Sequence, residues 1–260
     1  MTQTHEVPVL RAFHRPARSD APVLLVFPHA GGGASSYRDL SQRLSDHFDV
    51  RVMQYPGRQD RMREPAAARL PQLADEAFEA FRAAPDLDGR PVVVFGHSMG
   101  AIVAFEVARR LEDAARTPAA LVVSAATAPS RVAALPKHPD SDDELLAHLT
   151  GLQGTGGAVM GSDAVLRMAL PALRADYRAF DAYDCGVDVR VASAIRVIGG
   201  ADDPVIRPHQ LHSWSDHADD VAVTVVDGGH FYLNDHPAEL AELLVTAAAI
   251  PDRRVEEQAR

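Results

Sequence analysis

The chain has 260 residues, of which 47% are hydrophobic, so it can form one domain with a sizeable core or two small domains. A formal net charge of −10 argues against nucleic acids and anionic membrane surfaces as partners, and the longest apolar runs have the length of strands, which excludes a membrane span. The single cysteine excludes an internal disulfide and no secretory signal is present, so we expect a cytoplasmic protein.

Short apolar runs alternate with segments of helical periodicity along the chain. The apolar runs predict strands at 23–27, 50–55, 91–95, 119–124, 194–199 and 221–226. The periodic segments predict helices at 35–44, 70–81, 101–112 and 238–249. Because the strands are apolar throughout and alternate with helices, we expect a mostly parallel sheet covered by helices on both faces. A single α/β domain spanning residues 1–260 is the expected organisation.

A G-x-S-x-G pattern, Gly96-His97-Ser98-Met99-Gly100, joins the third predicted strand to its helix. A serine at the apex of a strand, a sharp turn and a helix is typical of a nucleophile elbow. The glycines on either side allow the strand and the helix to approach closely. We therefore predict Ser98 as a catalytic nucleophile. The alternative is a glycine-rich turn in which the serine has no catalytic function.

A serine nucleophile needs a base, and in this architecture the chain order is serine, acid, histidine. His230 follows the last predicted strand across two glycines and is predicted to be the base. His97 is expected to point away from the site, and four other histidines are predicted to be exposed polar residues: His209, His212, His217 and His236. None of the histidines follows metal-ligand spacing, so no metal site is expected.

Two adjacent aspartates, Asp202 and Asp203, follow the penultimate strand and are candidates for the acid. The G-x-x-D-P spacing favours Asp203, because the proline after it fixes the turn. Adjacent residues of an extended loop point in opposite directions, so only one of them can meet His230. Asp202 remains the alternative.

An oxyanion hole needs backbone N–H groups close to the nucleophile. Met99, directly after Ser98 at the start of a helix, is predicted to supply one of them. The second is predicted to come from the loop Pro28-His29-Ala30-Gly31-Gly32-Gly33, in which Ala30 is the best placed donor.

The stretch from 125 to 193 carries no strand signal and is predicted to contain a helical insertion at about 130–190. Its second half repeats apolar residues at helical spacing, and Pro171 is expected to kink this helix. The residues of the stripe are Leu166, Leu170, Leu173, Tyr177 and Phe180. We predict a lid over the nucleophile, with a mobile glycine-rich segment at 150–163. The alternative is a helical insertion packed onto the sheet.

Together these segments resemble the type II thioesterases, the editing hydrolases of polyketide and nonribosomal peptide assembly lines. The resemblance is carried by FPHAGGGASSY (27–37), YPGRQDRMREP (55–65), FGHSMGA (95–101), LPALRADYRAFDAY (170–183), GGADDP (199–204) and GGHFYL (228–233). It implies an α/β-hydrolase fold with a helical lid, the triad Ser98, Asp203 and His230, and the oxyanion donors Ala30 and Met99. It also implies catalysis without a cofactor.

The substrates that the resemblance implies are acyl or aminoacyl thioesters on the phosphopantetheine arm of an acyl carrier protein or a peptidyl carrier protein. Carrier proteins are commonly acidic, as this chain is, so docking of a monomeric enzyme should rely on local contacts. The cluster Arg58, Arg61 and Arg63 is a candidate docking surface; alternatively, these arginines pair with Asp60 and Glu64. Two other functions remain open: a small-molecule serine esterase, and a catalytically inactive hydrolase fold that acts as a binding module.

Overall fold

A computed structural model describes residues 8–153 and 163–249 of the chain. Within these residues one sheet is formed by β1 (Leu10–Arg11), β2 (Val23–Phe27), β3 (Asp49–Met53), β4 (Val92–His97), β5 (Ala120–Ser124), β6 (Ile195–Gly200) and β7 (Val221–Val226). The strand order is β1-β3-β2-β4-β5-β6-β7. The pairings from β3 to β7 are parallel, and β1 is antiparallel to β3. The predicted parallel sheet is confirmed.

Helices cover both faces of this sheet, which explains why its strands are apolar at consecutive positions. The covering helices are α1 (Arg38–Leu44), α2 (Leu70–Arg82), α3 (Met99–Asp113) and α8 (Pro237–Ala248). In β2, Val23 and Leu25 belong to the core that contains residues of α2 and α3. Leu24 and Val26 point to the opposite core, which contains residues of α1 and α8. The four predicted helices are therefore present, the first of them preceded by a 3₁₀ turn at Ala34–Tyr37.

The mid-chain insertion lies between β5 and β6 and contains a 3₁₀ helix (Pro129–Ala134), α4 (Asp142–Gln153) and α5 (Asp163–Asp181). The two helices bury an apolar cluster of their own, formed by Leu145, Leu149, Leu152, Leu170, Leu173 and Tyr177. The predicted stripe thus faces α4 from Leu170 to Tyr177, whereas the side chain of Leu166 lies outside the described residues. Helix α5 continues through Pro171.

The segment 150–163, which was predicted to be mobile, falls mainly on residues 154–162, and these lie outside the described residues. Besides several 3₁₀ helices, the elements of the described residues that were not predicted are β1, α6 (Pro208–Leu211) and α7 (Tyr232–Asp235). They have two or four residues each and are too short to show a hydrophobic period. Among residues 8–153 and 163–249, no helix is long and apolar enough to cross a membrane.

Candidate active site

Ser98 lies between β4 and α3 in a strained backbone conformation, with φ 56° and ψ −123°. L-residues rarely adopt this conformation, and it persists only where the surroundings enforce it. A Cβ added to Gly96 would lie 2.0 Å from the carbonyl oxygen of Gly100, and one added to Gly100 would lie 2.0 Å from that of Phe27. The backbone of α3 therefore touches both β4 and the end of β2. The Ser98 N–H also donates to the Ser124 carbonyl on β5 at 2.8 Å.

His230, in the turn after β7, connects Ser98 to Asp203. The His230 Nε2 atom lies 3.0 Å from Ser98 Oγ, and its Nδ1 atom lies 2.8 Å from Asp203 Oδ2. An ionised carboxylate can only accept hydrogen bonds, so Nδ1–H donates to Asp203 and Nε2 can accept the Ser98 hydroxyl proton. The three side chains thus form a continuous hydrogen-bonded series, arranged for proton transfer away from Ser98.

Of the two adjacent aspartates, the one beside His230 is Asp203. Its side chain is fully buried, and its second oxygen accepts the N–H groups of Val205 at 2.8 Å and Ile206 at 3.0 Å. These two bonds close the turn after β6 and fix the carboxylate. Asp202 is exposed, and its N–H donates to the Gly228 carbonyl at 2.9 Å. The turn therefore directs only one carboxylate inwards, as the opposite directions of neighbouring side chains require.

The two residues predicted as oxyanion donors, Met99 and Ala30, lie on backbone segments close to Ser98. Met99 is the first residue of α3, so its N–H has no carbonyl partner within the helix. Ala30 belongs to the loop after β2, which reaches the elbow: a Cβ on Gly100 would lie 2.6 Å from the Pro28 carbonyl oxygen. Both N–H groups are thus carried by backbone next to the elbow.

The sequence predicted that His97 points away from the site, and this prediction is wrong. His97 packs beside His230. The ring centroids are 5.4 Å apart, and His97 Nδ1 lies 2.8 Å from Ser124 Oγ. Within the described part of the chain, Nε2 of His97 is a buried polar atom without a hydrogen-bond partner. Burial, and secondarily the coulombic contribution of His230, hold the pKa of His97 well below its ordinary value. His97 is therefore a neutral ring that packs against His230.

His29 is a second neutral histidine near the site, on the loop that carries Ala30. Its Nδ1 lies 3.1 Å from the hydroxyl of Tyr37, and its ring meets that of Phe231 edge-on with centroids 5.0 Å apart. Burial, together with smaller coulombic contributions from His230 and Arg58, lowers the pKa of His29 from 6.5 to about 4. The loop therefore adds no charge to the site at neutral pH.

The prediction that His217 is exposed is wrong. Its ring is fully buried and packs edge-on against Phe105, with centroids 5.2 Å apart. Its Nδ1–H donates to the Val189 carbonyl at 2.6 Å, and Nε2 lies 2.9 Å from Ser130 Oγ. The ring thus joins both ends of the insertion to the 3₁₀ helix at His212–Asp216, a distant contact that local pattern could not reveal. His209 and His212 are exposed and His236 is half-buried.

A cavity of about 450 Å³ opens onto Ser98 and His230. The insertion forms much of its wall, and the lining side chains include His138, His148, Leu152, Tyr177 and Phe180. His138 stacks on Tyr177 with ring centroids 3.9 Å apart, and its Nδ1 lies 2.7 Å from an oxygen of Asp181. Burial lowers the pKa of His148. The cavity therefore combines apolar and aromatic surfaces with a few polar groups.

The prediction of an arginine docking surface is wrong for two of its three residues. Arg58 and Arg61 are buried, and only Arg63 is exposed. Arg61 pairs with carboxylates of Glu64 and Glu76, and these bonds raise its pKa. The alternative pairing with Glu64 is thus present, whereas Asp60 pairs with Arg11 outside the cluster. Carboxylates on other elements direct the two guanidinium groups inwards.

The residues between 8 and 153 and between 163 and 249 contain no group of histidine, cysteine and acidic side chains that could hold a metal ion. The geometry of Ser98, His230 and Asp203 requires none for nucleophilic chemistry. The arrangement places a hydrogen-bonded hydroxyl, that of Ser98, at the mouth of a cavity.

Comparison with known proteins places this site in context. Residues 22–247 match the family model of the thioesterase domain. The chain is 43% identical over 245 residues to a probable cadicidin biosynthesis thioesterase of Streptomyces griseus. This match covers 94% of the chain and 66% of that relative. It is 42% identical over 230 residues to the phenyloxazoline synthase MbtB of Mycobacterium tuberculosis, covering 87% of the chain but 16% of the synthase.

Among solved structures, the type II thioesterase BorB from the borrelidin biosynthetic cluster has a similar fold. Its TM-score is 0.83 at 39% sequence identity, and the match covers 95% of this chain and all of that one. This likeness agrees with the α/β-hydrolase architecture expected from the sequence.

The neutral histidines make stability depend on pH. In the unfolded chain His97 and His29 take up protons near pH 6.5, whereas in the folded protein they remain neutral until lower pH, His29 until about 4. Because the unfolded state then binds more protons, the free energy of unfolding should fall as the pH drops below 6.5, by up to about 1.4 kcal/mol per pH unit for each such histidine.

Urea denaturation of the wild type and His97→Gln between pH 7 and pH 5 checks this prediction. The variant should show a flatter pH dependence, because one of the groups that protonate on unfolding is gone. His209→Gln, which changes an exposed histidine, is the control and should keep the wild-type slope. Equal slopes for all three proteins would contradict the prediction.

Proposed function

Because the chain belongs to the thioesterase domain family, we propose that it is an editing type II thioesterase of polyketide or nonribosomal peptide biosynthesis. Its proposed substrates are acyl or aminoacyl thioesters on the phosphopantetheine arm of acyl or peptidyl carrier proteins. The observation that carries the proposal is the hydrogen-bonded series Ser98, His230 and Asp203 at the mouth of the cavity. The names of the relatives, one from cadicidin biosynthesis, support the pathway class.

In the first half of the reaction, Ser98 Oγ attacks the thioester carbonyl carbon while His230 Nε2 takes the hydroxyl proton. The carbonyl oxygen becomes negatively charged and is stabilised by the N–H groups of Met99 and Ala30. When the carbon–sulfur bond breaks, His230 returns the proton to the departing pantetheine thiol. Asp203 remains ionised and holds the imidazole in the tautomer that makes Nε2 the acceptor.

In the second half, water replaces the thiol. His230 Nε2 takes a proton from the water as its oxygen attacks the acyl carbon on Ser98. Collapse of the intermediate breaks the acyl–Ser98 bond, and the proton on His230 passes to Ser98 Oγ. A carboxylic acid leaves, and the enzyme regains its starting protonation state.

Two observations bear on the alternative functions. A binding module that has lost catalysis has no need for Ser98, His230 and Asp203 within hydrogen-bonding distance, so their geometry argues against it. A small-molecule esterase would use the same three residues, because this fold and this type of triad serve many substrates. The preference for a thioester rests on family membership. An experiment that compares a carrier-bound thioester with an oxygen ester of a small alcohol is therefore essential.

The insertion at about 130–190 is proposed to act as a lid over the acyl chain. Side chains of α4 and α5 line the cavity that opens onto Ser98, which supports this function. Entry of the acyl group would then require part of the insertion to move. The monomeric state and the cytoplasmic location remain predictions.

Ser98→Ala should abolish turnover and labelling by a fluorophosphonate while leaving the fold intact, because it removes one oxygen and no packing. Ser36→Ala, at an exposed serine beside the Ala30 loop, is the matched control and should be labelled like the wild type. Mass spectrometry of the labelled peptide identifies the modified residue. Labelling at a residue other than Ser98 would refute its assignment as the nucleophile.

Asp203→Asn should lower kcat by about 10⁴-fold, because the imidazole would lose the carboxylate that fixes its tautomer. Asp202→Asn is the control at the exposed neighbour and should change kcat little. Steady-state hydrolysis of an acyl N-acetylcysteamine thioester measures both. A large loss in Asp202→Asn with near-normal activity in Asp203→Asn would assign the acid to Asp202.

Wild-type kcat/KM should be far higher for an acyl group on carrier-protein phosphopantetheine than for the oxygen ester of the same acyl group with a small alcohol. The thiol is the better leaving group, and the carrier arm is the proposed occupant of the approach to Ser98. Mass spectrometry of the carrier protein monitors loss of the acyl group and gives the rate for the thioester. Chromatography of the product acid gives the rate for the oxygen ester. Comparable values for the two substrates would favour the small-molecule esterase.

A further inference from the structure

The Ala30 N–H is held by a turn whose direction depends on two charged side chains far apart in the sequence. The Gly32 N–H donates to the His29 carbonyl at 3.0 Å, which closes a turn over residues 29–32. The His29 carbonyl and the Ala30 N–H belong to the same trans peptide and therefore point in opposite directions. Fixing this turn thus fixes the direction in which the Ala30 N–H points.

Arg58 and Asp176 hold this turn from outside. The Gly31 N–H donates to Asp176 Oδ2 at 2.8 Å, and Arg58 Nη1 donates to the Gly32 carbonyl at 3.1 Å. The two side chains also bind each other through two parallel bonds of 2.6 Å. Each charged group therefore contacts both its partner and the backbone of the turn.

Burial gives these contacts a fixed geometry. The side chains of Arg58 and Asp176 are only 6% and 5% exposed. The guanidinium lies over the ring of Tyr55, 5.1 Å from its centroid, and the Tyr55 hydroxyl donates to the Pro28 carbonyl at 3.0 Å. Peptides before and after the His29–Ala30 peptide are thus both anchored. A buried ion pair is weak evidence of net stability, so its geometry is the more informative property.

We propose that Arg58 and Asp176 are positioning residues that aim the Ala30 N–H at the oxyanion formed when Ser98 is acylated. This inference rests on the proposed function, because it requires Ser98 to be the nucleophile. Neither side chain is assigned contact with the substrate. Asp176 lies on α5, so the insertion that lines the acyl cavity is also part of the support of the oxyanion hole. A purely structural pair would affect stability but not the transition state.

The test compares Asp176→Asn and Arg58→Lys with a matched control, Asp49→Asn. Asp49 is also buried and paired with two arginines, Arg51 at 2.8 Å and Arg90 at 3.0 Å. Asp49, however, is the first residue of β3 and lies at the N-terminal end of the parallel strands, whereas Ser98 lies at their C-terminal end. Four quantities are measured: kcat and KM for an acyl N-acetylcysteamine thioester, the Ki of a trifluoromethyl ketone analogue, and the urea midpoint. The ketone forms a hemiketal with the nucleophile and places an oxyanion in the hole.

Asp176→Asn and Arg58→Lys should lower kcat by about 100-fold with KM changed by less than about threefold, because a misaimed donor weakens only the transition state. The Ki of the ketone should rise by the same factor as kcat falls. Asp49→Asn should lower the urea midpoint and leave kcat and Ki at wild-type values.

Three results would overturn the proposal. The first is normal kcat and Ki in folded Asp176→Asn and Arg58→Lys. The second is an increase in KM alone, which would show that the pair shapes the acyl cavity. The third is failure of both variants to fold, which would show that the pair holds the domain together. Failure of the proposed function is distinct, since wild-type enzyme would then neither hydrolyse the thioester nor bind the ketone covalently at Ser98.

Discussion

The close contact of three backbone segments at the elbow is the constraint on which the site depends. No Cβ fits at Gly96 or Gly100, because backbone atoms of α3 and of the end of β2 occupy the positions it would need. This contact forces Ser98 into its strained conformation and presents its hydroxyl beyond the sheet. It also brings the loop after β2 against the nucleophile. The proposed nucleophile and the proposed oxyanion donors thus depend on one packing arrangement.

The parallel sheet supplies the rest of the site. Because β2, β4, β6 and β7 run in the same direction, the turns that follow them all lie at the C-terminal ends of the strands. Those turns carry Ala30, Ser98, Asp203 and His230 respectively. Side chains separated by up to 132 residues therefore come within hydrogen-bonding distance through strand order alone. Beneath them, neutral His97 gives His230 a packed surface without adding a competing charge.

Most of this arrangement could be predicted from local sequence signals. Apolar runs indicated the strands from β2 to β7, and turn motifs located the candidate residues at their ends. What the sequence could not indicate were contacts between distant positions. Arg58 and Asp176 are 118 residues apart, and an arginine-rich loop resembles an exposed surface until its partner is known. The burial of His217 has the same cause. Strand β1 escaped prediction because two residues have no period.

The two helices that line the cavity are held in place in different ways. Helix α5 is anchored in its second half by the buried ion pair between Asp176 and Arg58. Helix α4, which contributes His148 and Leu152, is held by leucine packing and by exposed pairs such as Arg174 with Asp142, which contribute little. Under the proposed function, substitutions in α4 reshape the cavity wall while leaving the Arg58–Asp176 pair intact, whereas substitutions in α5 affect both.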